Sequence, residues 1–363
     1  GIGWNPVVDE FQSDMIWRDQ APEVEGWIEE FVTRRYGGDV PKAQAAWKTL
    51  YRTAYQRPGR HDNLAVVRPK IGHSGTLEHE MLKAWKSLLD GAERLADQDT
   101  YQFDLVNVTR QTLGSLSALY YRQMIDAFDD RDRESLKTAS DKLEGLLLDL
   151  DTQLGSHDEY LLGTWLERAK RWATTEEERR LYEWNARTII TLWGKPSTPL
   201  DDYSNRQWSG MMSNYYAPRW RLFHEELDRT LAEGQDWDAA AFDRKVRAWQ
   251  ADWARQTESF PIEANGRCPI ETSKSLYEKY RAEFDTDLAQ SLKRGAPYFA
   301  FDPDDYPAVK SLTTGKPVTC GAALPSCPPE LANDGVVNLP NSFWACDVGA
   351  TGPESAWWCV DLE

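Results

Sequence analysis

Thr174 to Phe223 reads TTEEERRLYEWNARTIITLWG (174–194), KPSTPLDDY (195–203) and SNRQWSGMMSNYYAPRWRLF (204–223). These three pieces predict a helix, a short stiff loop and a second helix. Thr174 and Thr175 are each followed three residues later by a glutamate. A threonine hydroxyl can accept from an orphan N–H there, and the acids suit the positive end of the helix dipole. Leu181, Trp184, Arg187/Thr188 and Leu192 recur at helical spacing, and Gly194 can take the left-handed conformation that stops a helix. Pro196 and Pro199 stiffen the loop, and Asp201 or Asp202 can cap the helix beyond it. Trp193 thereby stands at an open helix end beside carboxylates and Tyr203. That combination suits a sugar: an indole face takes the C–H side of the ring and acceptors take its hydroxyls. Seventeen tryptophans in 363 residues make packing the ordinary use of any one of them, and paired aspartates before a helix are ordinarily caps.

Outward from this hairpin the chain is helical almost throughout. Asn5-Pro6 makes an N-cap and first-turn pair with Val7, Phe11 and Ile16 or Trp17 behind it. Further helices are predicted over 23–36, from Pro41 to Tyr55, and over 76–96, 99–129, 132–154, 157–173, 175–193, 202–233, 236–258 and 271–293. The stripe Leu105, Leu113, Leu116, Leu119/Tyr120 and Met124 is a core face. Short connections predict antiparallel neighbours, and no fixed solenoid repeat is present. Residues 56–75 form a long loop rich in Pro and Gly that carries His61 and His73. Long loops in compact domains are disproportionately functional, although a lone loop histidine is usually just solvated.

Charge and composition narrow the classes. With 42 Lys+Arg against 59 Asp+Glu, the net charge of −17 is spread along the chain, which argues against nucleic acid or an anionic membrane surface as partner. No apolar run reaches the roughly 20 residues of a membrane span, and no signal peptide is visible. Cys268 stands near the end of the helical part, while Cys320, Cys327, Cys346 and Cys359 crowd the tail. No C-x-x-C occurs and no histidine follows His224, so disulfides in a secreted protein are expected in preference to zinc, with one thiol left over. Asn107-Val108-Thr109 is a glycosylation sequon inside a helical pattern. No G-x-S-x-G, Walker loop, H-E-x-x-H, EF-hand or Rossmann fingerprint occurs, and no cofactor is expected. Glu183 reads as a solvated or salt-bridged helix-face residue. Residues 295–316 read as a linker, and 317–363 as short β-strands stapled by cysteines. The fold class is mainly α, an irregular multi-helix array with a short, truncated β-sandwich piece at the C-terminus.

Several stretches resemble glycoside hydrolase family 89, the α-N-acetylglucosaminidases. They are NPVV (5–8) with WR at 17–18, RRYG at 34–37, DLVNVTRQ at 104–111, LLGTWLERA at 161–169, YEWNAR and TLWG within 182–194, LDDYSNRQ at 200–207 and NYYAPRWRLF at 214–223. The resemblance implies the end of a (β/α)8 barrel followed by a helical domain that closes one side of the active site. It implies a retaining exo-hydrolase of terminal α-linked N-acetylglucosamine with two barrel glutamates, both expected upstream of Gly1. It carries sugar-binding roles to His61, Trp193 and Tyr203: Trp193 stacks on the sugar, and the other two bind hydroxyl or acetamido groups. Arg219 is expected to tie helices together and not to touch ligand. GKPVTC (315–320), PELANDG (329–335), NSFWACD (341–347) and WWCVDLE (357–363) resemble the start of a discoidin-type module, implying an appended glycan-binding domain.

The domains expected are thus 1–30, the last unit of a truncated barrel; 31–293, the helical domain; 294–316, a linker; and 317–363, part of a discoidin-like sandwich. The partners expected are glycans ending in α-linked N-acetylglucosamine (mucin-like, glycoprotein or heparan-type) and the missing barrel half. The strongly acidic chain favours neutral glycans over heparan sulfate. The location expected is secreted or extracellular, or lysosomal in a eukaryote. The alternative function is a carbohydrate-binding or scaffold piece without catalysis.

Overall fold

Asn5 opens the first helix as expected, its side chain accepting from Val8 N at 3.2 Å with Pro6 in the first turn. The computed structural model describes residues 5–38, 40–55, 63–194 and 202–292, together with two short strands of the tail. Helices α1 (Pro6–Met15), α2 (Val24–Tyr36) and α3 (Pro41–Leu50) lead, and α3 continues into a π-helical turn, Tyr51–Tyr55. Next come α4 (His79–Asp90), a single turn α5 (Ala92–Leu95), α6 (Asp99–Asp129) and α7 (Arg133–Leu154). The hairpin of α8 (Leu162–Lys170) and α9 (Glu176–Ile189) follows, then α10 (Ala217–Glu233) and α11 (Ala239–Ala254). The described helical part closes with α12 (Pro269–Tyr280) and α13 (Asp287–Ser291).

The antiparallel pair α6 and α7 is the spine, and its apolar stripes meet face to face. Leu105, Leu113, Leu116, Leu119, Tyr120 and Met124 of α6 are buried as the periodicity predicts, against Leu136, Leu143, Leu146, Leu147 and Leu150 of α7. One continuous core runs from Val7, Trp27 and Phe31 through this hairpin to Trp220, Phe223 and Leu276. Ile16 and Trp17 stand outside it on the surface. Inside the core, Asp104 of α6 accepts from Arg35 at 2.5 Å and from the Tyr36 hydroxyl at 2.9 Å, and Tyr36 accepts from the Trp47 indole at 2.8 Å. Burial pushes the Asp104 carboxyl above its usual range even with Arg35 beside it. Asn107 lies mid-helix and accepts from Arg110, and Thr109 bonds Ser273, which does not fit the exposed turn of a glycan acceptor.

The chain divides into two units, Gly1–Tyr298 and Phe299–Glu363. In the second, strands Val318–Cys320 and Trp358–Val360 pair antiparallel, with Val318 opposite Val360 and Cys320 opposite Trp358. The other tail residues, and with them the sandwich and disulfide expectations, lie outside the described residues. Cys268 carries a free, exposed thiol. No described helix is long and apolar enough to cross a membrane.

Candidate functional site

Helix α9 starts as its sequence predicts. Thr175 accepts from Glu178 N at 3.1 Å, and Glu178 Oε2 accepts in return from Thr175 N at 3.2 Å. The stripe drawn from spacing holds in its second half, where Arg187, Thr188 and Leu192 are buried, and fails in its first. Leu181, Trp184 and Ile189 are exposed, while Glu183 and Arg187 are buried. Arg187 donates to Glu183 at 2.8 Å and to the Glu258 carbonyl at 2.7 Å, and its guanidinium lies 4.8 Å from the Trp253 ring and 5.4 Å from Phe260. Lys170 of α8 reaches the second Glu183 oxygen at 3.6 Å. Glu183 is therefore salt-bridged, but inside the protein. The pairing compensates both charges, so Glu183 and Arg187 are buried on the same side as Ala186, Thr188, Ile190 and Leu192, while Leu181, Trp184 and Ile189 are left outward.

The helix ends four residues earlier than expected, and the left-handed turn falls on Trp193 itself, with φ 54°, while Gly194 sits at φ 150°. A left-handed non-glycine costs about 1–2 kcal/mol. The Trp193 amide donates to Thr188 O at 2.8 Å and so satisfies an orphan carbonyl of the helix end. The indole is thrown clear of the helix and left 37 % exposed. Asp202, the next described residue after Gly194, is also left-handed at φ 60°, and its amide donates to Thr191 O at 2.7 Å. The two ends of the intervening loop are thereby drawn together, and Tyr203, half exposed, meets Trp193 edge-on with ring centroids 5.2 Å apart. Two of the three expected sugar-binding residues are thus adjacent and open to solvent. The third, His61, lies outside the described residues, as does Asp201.

Asp202 is not a helix cap. Its carboxylate accepts from Arg219 Nη1 at 2.8 and 2.9 Å, both side chains being buried. Arg219 also donates to Val66 O at 3.2 Å, and its neighbour Trp220 donates to Ala65 O at 3.1 Å. Its guanidinium lies 4.9 and 5.4 Å from the Tyr215 and Tyr216 rings. Burial alone would lower the Arg219 pKa, yet Asp202 and the two tyrosines beside it leave it raised. Arg219 ties elements together, as read from the sequence.

The second helix of the motif begins ten residues later than expected, at a π-helical turn, Met212–Tyr216, that runs into α10. Its cap comes from another helix. Asp151 of α7 accepts from Gly210 N at 2.7 Å, Ser213 N at 3.0 Å and the Ser209 hydroxyl at 3.1 Å. Residues 202–207 are free to form a loop instead. Tyr216 holds that loop, its hydroxyl accepting from Arg206 N at 3.2 Å and donating to Arg206 O at 3.0 Å. Asn63, where the His61-bearing segment re-enters the described chain, donates to Gln207 at 3.0 Å. Its approach depends on Gly114 of α6, where an added Cβ would lie 2.2 Å from Asn63 Nδ2. An isolated glycine within a helical pattern was the one sequence signal for this contact. His73, by contrast, is packed inward, bonded to Arg68 O at 2.9 Å.

The carboxylates of Asp202 and Glu183 are thus each committed to an arginine. Two concavities on the helical unit do not include the Trp193–Tyr203 pair. One of about 570 Å³ is lined by Glu29, Glu30 and Arg34, and one of about 360 Å³ lies between α8 and α9 over Trp165, Trp172 and Tyr182. The pair forms an open aromatic wall.

Residues 27–279 match the α-N-acetylglucosaminidase (NAGLU) C-terminal domain family. The human α-N-acetylglucosaminidase is 34 % identical over 290 residues, 77 % of this chain and 39 % of that protein. Among solved structures, a family 89 glycoside hydrolase from Clostridium perfringens, in complex with its substrate GlcNAc-α-1,4-galactose, superposes with a TM-score of 0.69. It is 25 % identical over 77 % of this chain and 34 % of that one. The Clostridium perfringens family 89 enzyme in complex with 2-acetamido-1,2-dideoxynojirimycin gives 0.69 at 26 % identity over 76 % of this chain and 34 % of that one. This chain spans about two fifths of the length of the human relative.

Proposed function

The chain belongs to the α-N-acetylglucosaminidase family through its C-terminal helical domain, and from that premise we propose that it supplies one wall of a pocket for terminal α-linked N-acetylglucosamine. The observation that carries the reading is the Trp193–Tyr203 pair, exposed on a strained backbone that surrounding hydrogen bonds hold in place. A solvent-facing indole whose backbone amide is already hydrogen-bonded loses little entropy on taking the C–H face of a pyranose, and the neighbouring phenol is placed to bond a ring hydroxyl. His61 completes the wall on this reading.

Hydrolysis needs more than a wall. A retaining glycosidase places two carboxyl groups about 5–5.5 Å apart across the scissile bond. Asp202, which precedes Tyr203 in the wall, and Glu183, on the helix that leads to Trp193, are each locked to a buried arginine and cannot serve as nucleophile or proton donor without breaking an internal pair. We place the cleaving acids, as the family resemblance implies, in the part of the family protein that this chain does not span, and the wall acts by binding and orienting the sugar against them. The Clostridium relative binds GlcNAc-α-1,4-galactose, a neutral disaccharide, which fits the preference for neutral glycan ends drawn from the net charge of −17.

The test is two assays on this chain. Titration with N-acetylglucosamine is expected to show saturable binding that Trp193→Ala weakens by about tenfold, the loss of roughly 1.4 kcal/mol of stacking. An aryl α-N-acetylglucosaminide is expected to remain uncleaved. Turnover that depends on a residue within 1–363 would overturn the assignment of the acids, and binding indifferent to Trp193 would overturn the wall.

A further inference from the structure

We infer that the buried Asp202–Arg219 pair is a positioning clamp that fixes the Trp193–Tyr203 wall and the segment from Asn63 to Val66 relative to each other, so that the wall keeps one orientation on the helices beneath it. The inference rests on the reading of that wall as a sugar site. Arg219 bonds both segments directly from the helix packed beneath them: Nη1 holds Asp202 at 2.8 and 2.9 Å, and Nη2 holds Val66 O at 3.2 Å. Asp202 in turn anchors the Trp193 end of its loop through Thr191 O at 2.7 Å and is followed directly by Tyr203.

The geometry favours Arg over any other residue at 219. A planar guanidinium can bond a carboxylate and a carbonyl in different directions while stacking on rings, which an ammonium cannot. Here it lies 4.9 Å from the Tyr215 ring and 5.4 Å from Tyr216, two contacts that do not depend on either loop. The two rings belong to the π-helical turn Met212–Tyr216. Two further bonds close the circuit. Tyr216 grips both backbone groups of Arg206, and Asn63 reaches Gln207 at 3.0 Å. The clamp also explains why Asp202 keeps a left-handed backbone that a glycine would adopt freely. The position needs a carboxylate more than it needs relief of strain, and aspartate is among the side chains that tolerate φ above zero.

The clamp is tested by hydrogen–deuterium exchange on the full chain, comparing wild type with Asp202→Asn, Arg219→Lys and, as a control of core packing, Leu146→Ala. Asn keeps the shape and the left-handed tolerance at 202 and removes only the charge, so Asp202→Asn decides the matter if Arg219→Lys fails to fold. The amides of Ala65 and Val66 on one side, and of Asp202, Asn205 and Arg206 on the other, are each hydrogen-bonded and report the two segments. In the clamp variants both sets are expected to exchange at least tenfold faster while α6 and α7 keep their protection. Opening of 202–207 with 63–66 still protected would overturn the clamp. A second readout is N-acetylglucosamine affinity, expected to fall at least fivefold in Asp202→Asn and to stay unchanged in Leu146→Ala. Equal affinity in Asp202→Asn and wild type would overturn the positioning role. A wild-type chain that binds no N-acetylglucosamine would sink the sugar-site reading alone, leaving the exchange result to decide the clamp.

Discussion

Helices α7 and α9 are built on opposite plans. α7 buries Leu136, Leu143, Leu146, Leu147, Leu150 and Leu154 and gives its charges to solvent. α9 buries Glu183 and Arg187 and gives Leu181, Trp184 and Ile189 to solvent. The first holds the molecule together through apolar area. The second carries a charge pair within its buried side, and Ile189 of its outward face lines the groove with Trp165 and Trp172. Binary patterning places a helix by where its apolar residues lie, and α9 shows that a buried ion pair can overrule that rule locally.

The largest expected effect breaks α9 from the inside. Arg187→Met leaves Glu183 buried without its close partner and is expected to cost about 3–5 kcal/mol, read as a fall in the denaturation midpoint. The double variant Glu183→Leu/Arg187→Met removes both charges and is expected to recover most of that loss. If the single variant were as stable as wild type, the pair would not be what orients the helix. Next in size is Leu146→Ala on α7, expected to cost about 2–5 kcal/mol through lost burial and the cavity it leaves. It should leave sugar binding intact, since Leu146 touches no part of the wall. The smallest effect is on the outer face of α9. Trp184→Gln, at a position 42 % exposed, is expected to change stability by no more than about 0.5 kcal/mol. A large loss there would mean that the apolar face packs on something within the chain.

The same contrast explains what could be read before any coordinates. The bounds of α6 agree with its stripe residue by residue, because a long helix packed on one face follows its own periodicity. The capping box at Thr175 and the Asn5-Pro6 start are local devices and are legible for that reason. The motif's second helix starts late because its cap is Asp151, 59 residues away from Gly210, and no local pattern announces a cap supplied by another helix. Asp202 stands where a cap would stand, and only its contact with Arg219 reveals a different task. Trp193 and Tyr203 could be nominated through their place beside a helix end and a stiff loop and through family resemblance. The strain at Trp193 and the hydrogen bonds that hold it needed the fold.

The central claim is that Trp193 and Tyr203 face a bound N-acetylglucosamine. It is tested most directly by measuring intermolecular proton–proton contacts by NMR between N-acetylglucosamine and a chain carrying selectively labelled tryptophan, with Trp193→Phe identifying the resonances. The account predicts contacts between the Trp193 indole and the ring C–H protons of the sugar. Contacts confined to other tryptophans, such as Trp165 and Trp172 of the α8–α9 groove, would contradict it.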